Sequence, residues 1–141
     1  MIKLENTEME INKRGIGNYL YILASVEDSG FKGWSNFVFS EVAWDEFIKN
    51  LKAFAKKLKG SAETYTGWGD EVYFRIKFEM KDKLGHIWIT GEIGKSERSK
   101  ISVNPPISHK LFYTYEIDVS TLDSFIKQCK SFKATGAIVE I

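Results

Sequence analysis

The sequence predicts an α+β fold, a largely antiparallel sheet with two helices packed on one face. Three observations carry that expectation. Apolar and polar side chains alternate with period two over residues 71–80, 86–93 and 110–117. They recur at three-and-four spacing over residues 44–58 and 122–132. Each helical segment follows a group of strands instead of alternating with them one to one, which favours antiparallel pairing. At 141 residues the chain is expected to form a single domain spanning 1–141.

Residues 18–26, rich in aromatic and β-branched side chains, read as a strand ending at the turn-forming Glu27-Asp28-Ser29-Gly30. Phe31 to Phe39 supplies its hairpin partner, with Gly33 marking a bulge or a close backbone approach. Trp44, Phe47, Ile48, Leu51, Phe54, Ala55 and Leu58 then line one helical face. Ser40 is the expected N-cap, and Lys56, Lys57 and Lys59 precede Gly60. Those terminal lysines read as a solvated, dipole-matched helix end, in preference to a nucleic-acid patch.

Val72, Phe74, Ile76, Phe78 and Met80 form the apolar face of the next strand. Ile87, Ile89 and Ile93 follow across a hairpin, and Leu111, Tyr113, Tyr115 and Ile117 form a third inward row. Residues 94–109, with Gly94 and Pro105-Pro106, read as a long loop. A closing helix carries Leu122, Phe125, Ile126, Cys129 and Phe132 on one face, with Ser120 to Asp123 as a capping-box variant, and Ala137 to Ile141 read as a short final strand. Shifting Trp44–Phe54 by 78 positions onto Leu122–Phe132 matches six of eleven residues, among them Asp45 with Asp123 and Lys52 with Lys130. A duplicated strands-then-helix unit explains this, and so does convergence of two amphipathic helices docking on one sheet.

Composition narrows the function. Hydrophobic residues are 43% and charged residues 28% of the chain, a globular balance. Twenty Lys and Arg against nineteen Asp and Glu leave a net charge of +1, which disfavours a broad nucleic-acid surface. One cysteine permits neither an intrachain disulfide nor a cysteine-rich metal site, so a reducing cytoplasm is the expected location. No apolar run approaches membrane-spanning length, and no signal-peptide pattern opens the sequence.

Catalytic groups find no motif. His86 and His109 lack a partner at recognisable spacing, Cys129 sits on an apolar helical stripe, and Gly15-Ile16-Gly17 and Gly67-Trp68-Gly69 do not continue into phosphate-binding loops. The expectation is a protein that is not an enzyme and carries no cofactor or metal. The outward positions of the three strands are more informative, because Tyr73, Trp88 and Phe112 stand there among Arg75, His86, Glu92 and Glu116. Aromatic anchors beside charged groups suit protein binding, and Tyr73, Arg75, Trp88, Phe112 and Glu116 form the candidate contact. A further strand or residues 1–13 packing over this face would bury it structurally instead. A small-ligand or carbohydrate site using Trp68 and Trp88 is the competing reading.

Gly69-Asp70 leading into a strand, the segment Gly85 to Glu92, His109 to Glu116 and the helices from Asp45 to Leu58 and from Leu122 to Phe132 resemble the WapI-type immunity proteins. These are small bacterial proteins encoded beside polymorphic toxins. The chain departs from the pattern in the Ser96 to Ser108 loop and at Asp118 to Thr121. The resemblance implies stoichiometric neutralisation of a cognate toxin without catalysis, and it transfers no functional residue.

Overall fold

The computed structural model describes residues 1–11, 18–68, 71–97, 107–134 and 136–141. They form β1 (Ile2–Ile11), β2 (Asn18–Asp28), β3 (Phe31–Ser40), α1 (Glu41–Lys57), β4 (Ser61–Trp68), β5 (Glu71–Met80), β6 (Ile87–Glu97), β7 (Ile107–Ile117), α2 (Val119–Cys129) and β8 (Ile138–Glu140). The fold is α+β with antiparallel strands. These divide into two four-stranded sheets, ordered β3-β2-β1-β8 and β4-β5-β6-β7, where the sequence alone suggested one.

Local chemistry accounts for most boundaries. Ser29 and Gly30 both adopt positive φ, 49° and 86°, as a two-residue hairpin turn matching the twist of β2 and β3 requires. The Ser40 side chain accepts from Ala43 N–H at the start of α1, and Leu58 ends the helix in the left-handed conformation. For α2 the cap is Asp118, accepting from Thr121 N–H at 2.7 Å, so the helix begins before the Ser120 to Asp123 box expected to start it. Much of the expected loop over residues 94–109 is strand, since β6 runs to Glu97 and β7 starts at Ile107; residues 98–106 lie outside the described residues.

The inner faces carry the expected apolar rows, with Phe74, Ile76 and Phe78 of β5 and Ile87, Ile89 and Ile93 of β6 all buried. Rings continue this core from sheet to helices. Phe37 of β3 stacks on Phe74 at 5.2 Å, Phe39 meets Trp44 edge-on, and Trp44 packs on Phe132 at 4.6 Å. Phe47 of α1 and Phe125 of α2 both contact Phe78, so the two helices share the inner face of the second sheet. Lys133 ties them further, its Nζ donating at 2.8 Å to both Glu41 and Asp45 of α1. That contact raises the Lys133 pKa and lowers that of Glu41. Cys129 is buried, as its helical stripe predicts, and burial pushes its thiol up to about 12.

Gly33 proves to be a close approach between sheets and not a bulge. Its pairing with Val26 is in register, and an added Cβ would stand 2.9 Å from Leu111. The element order also repeats, as β1-β2-β3-α1-β4 and then β5-β6-β7-α2-β8. The closing strand of each unit joins the other unit's sheet: β4 pairs with β5, and β8 with β1. This arrangement favours duplication over convergence, because docking two helices on a sheet does not require the flanking strands to repeat in order.

Candidate functional site

The outer face of the sheet β4-β5-β6-β7 is assembled by register. Tyr65, Arg75, Glu92 and Phe112 lie directly opposite one another across the four strands. Beside that row stand Glu63, Lys77, Thr90 and Thr114, and beyond it Ser61, Glu79, Trp88 and Glu116. Alternation sends these side chains away from the core, because their neighbours Ile76, Phe78, Ile87, Ile89 and Tyr113 fill the inside. Tyr65 is 63% exposed and Phe112 70% exposed, so the row ends in a solvent-facing ring on both edge strands.

Between those rings the polar groups are largely paired. The Arg75 guanidinium lies 5.6 Å from the Tyr65 ring centre, and its Nε is 3.4 Å from Glu63 Oε1. Lys77 pairs with Glu79 at 2.7 Å, and the hydrogen bond raises the lysine's pKa. Lys81 reaches Glu116 at 2.5 Å and covers the Trp88 ring at 4.9 Å. Glu92 is only 7% exposed despite facing outward, with Lys110 at 4.0 Å. Each of these four cations has a carboxylate beside it, so among the described residues this row offers no uncompensated positive charge to a phosphate backbone. Exposed aromatics and an arginine are residue types enriched at protein-binding surfaces, while the Lys and Glu pairs between them belong to the types depleted there.

Arg75, Trp88, Phe112 and Glu116 are thus brought to one face, as expected. Tyr73 is not with them. The β4–β5 register passes from Thr66 opposite Phe74 to Gly67 opposite Val72, leaving Tyr73 as the unpaired residue of a bulge. The bulge breaks the alternation, and Tyr73 is half-buried against the core, lining a groove with Tyr19, Phe37 and Val38. Tyr65 takes the place the sequence reading gave to it. The Ala62, Thr64, Thr66 alternation against Glu63 and Tyr65 was the available signal for β4. Of residues 1–13, considered above as a cover for this face, Ile2–Ile11 instead form β1 within the other sheet, and residues 12 and 13 lie outside the described residues.

Other candidate groups are dispersed. His86 is paired with Asp82 at 2.6 Å within the hairpin, and Glu92 is six residues further along the strand, roughly 20 Å away. His109 pairs in register with Lys95 at the far end of β6. The Trp68 side chain lies outside the described residues, but its backbone is opposite Glu71, whereas Trp88 is opposite Glu79. Eight residues along β5 separate these positions by roughly 25 Å, too far for one small-ligand site. Among the described residues no three or more His, Cys, Asp or Glu side chains cluster to hold a metal, and no helix is long and apolar enough to cross a membrane. No family model, curated protein or solved structure matches the chain.

Proposed function

We propose that this protein neutralises a cognate bacterial toxin by stoichiometric binding, without catalysis, in the cytoplasm of the cell it protects. The observation that supports this reading is the four-strand row from Tyr65 to Phe112, an exposed ring at each end of a charge-compensated centre. The resemblance to WapI-type immunity proteins supplies the class of partner. Arg75, Trp88, Phe112 and Glu116 remain the contact residues, and Tyr65 joins them in place of Tyr73.

The test is co-expression with the toxin encoded beside this chain, together with calorimetric titration of the purified pair. Wild type should restore growth and bind one to one. Arg75→Ala and Phe112→Ala, with unchanged circular dichroism, should each weaken binding by about a hundredfold, or ~2.7 kcal/mol, the size of an interfacial hot spot. A wild-type protein that neither binds nor protects rejects the function. Full protection by both folded variants rejects the face.

A further inference from the structure

The toxin-binding reading leaves the groove between the helices unused. Trp44, Asp45, Lys49 and Lys52 of α1 line it on one side, and Lys130 and Lys133 on the other, around a volume of about 440 Å³. Asp45 is already engaged by Lys133. Lys49, Lys52 and Lys130 make no side-chain ion pair or hydrogen bond among the described residues. Three unpaired ammonium groups therefore border a recess whose one carboxylate, among the described residues, is spoken for.

Helix-end electrostatics account for Lys130, the C-cap residue of α2, but not for Lys49 and Lys52. Lys56 and Lys57 occupy the last turn of α1, where cations offset the dipole, but Lys49 and Lys52 lie one to two turns earlier. Trp44 also lines the groove; it is 1% exposed, and its buried indole Nε1 has no hydrogen-bond partner among the described residues. Lys52 and Lys130 are 78 positions apart, the same offset that separates the caps Ser40 and Asp118. Each repeat thus contributes one equivalent cation to the groove.

We propose that this groove binds a small polyvalent oxyanion of the diphosphate class, its two charged ends held by Lys52 and Lys130, with Lys49 adding a third positive charge. Two equivalent cations facing one recess suit a ligand with two anionic ends better than a single carboxylate. Ammonium groups also recognise phosphate oxygens as point charges without demanding planar geometry.

The experiment is a titration of the ¹⁵N-labelled full chain with inorganic pyrophosphate at constant ionic strength, following the Trp44 indole N–H and the Lys49, Lys52 and Lys130 amides. These signals should shift saturably, and the exposed Lys52→Gln/Lys130→Gln variant should bind at least about tenfold more weakly, ~1.4 kcal/mol, with its remaining spectrum unchanged. Arg75→Ala, on the opposite sheet face, should bind pyrophosphate as wild type does, which separates this site from the toxin-binding one. Absence of saturation by about 10 mM, or equal affinity in the double variant, overturns the proposal. So does binding of a single-stranded oligonucleotide at the groove without binding of pyrophosphate.

Discussion

Gly91 is where a single side chain would disturb the second sheet most. A Cβ built there would overlap both the Tyr113 hydroxyl and the Arg75 carbonyl oxygen. The absent side chain lets the Tyr113 hydroxyl reach across β6 and donate to the Arg75 carbonyl at 2.6 Å, linking β7 to β5 over the intervening strand. Burial raises the Tyr113 pKa, consistent with a phenol that stays protonated to donate. Gly91→Ala should therefore lower the unfolding free energy by about 1–3 kcal/mol, the range for overpacking. Tyr113→Phe should cost about 1 kcal/mol, because only the hydrogen bond is lost. Urea unfolding of both variants checks the order, and a Gly91→Ala protein as stable as wild type would contradict this account. Because Arg75 belongs to the outer row, Gly91→Ala should also weaken the proposed toxin contact more than its exposure suggests.

At the scale of elements, the turn of the β5–β6 hairpin is fixed by side chains as well as by the backbone ladder. Asp82 accepts from the Leu84 N–H at 2.8 Å and pairs with His86 Nδ1 at 2.6 Å, while Gly85 supplies a positive φ of 95°. The His86 hydrogen bond first, then those from the backbone, lower the Asp82 pKa. A carboxyl with a lower pKa folded than unfolded stabilises the fold fully above its unfolded value, and that contribution disappears as pH falls through the folded one. The hairpin contribution should thus be intact at neutral pH and lost below about pH 4. Thermal unfolding of wild type and Asp82→Asn between pH 6 and pH 3 tests this: the wild type should lose its advantage over the variant as acid is added. A difference that stays constant through that range would assign the stability elsewhere. The hairpin was legible in the sequence, since Gly85 and the alternation on either side are local signals. The Asp82–His86 pair was not, because a turn must close before those two side chains can meet.

For the whole molecule, the exchange of closing strands makes the two repeats interdependent. β4 finds its hydrogen-bond partner in β5 and β8 in β1, so each half completes the other's sheet. The ring contacts cross the same boundary, Phe37 on Phe74, Phe47 on Phe78 and Trp44 on Phe132. Cutting the chain between Gly69 and Asp70 should therefore give two fragments that are not folded monomers separately. When mixed, they should regain the circular dichroism of the intact protein as a one-to-one complex. A stable monomeric fold in either fragment alone would show that the repeats are separable domains. Size adds to the expectation: a fragment of about 70 residues is only marginally stable, and an open sheet edge leaves it prone to pair with another chain.

Periodicity was enough to identify both helices, the inward rows of β5, β6 and β7, the β2–β3 turn and the burial of Cys129, since each depends on residues within a turn or two of one another. The separation into two sheets left no comparable mark. Leu4 pairs with Val139 across nearly the whole chain, and β8 is only three residues long. Pairing at that distance depends on which sheet edge each strand lies beside in the folded chain, which no local pattern encodes. The same holds for Tyr73, which the alternating pattern placed outward. Only the bulge against Gly67 turns it towards the core, and a bulge is a property of two strands together. The groove between the helices likewise exists only in three dimensions: Lys52 and Lys130 are unremarkable surface lysines until the two repeats fold against each other and place them around Trp44.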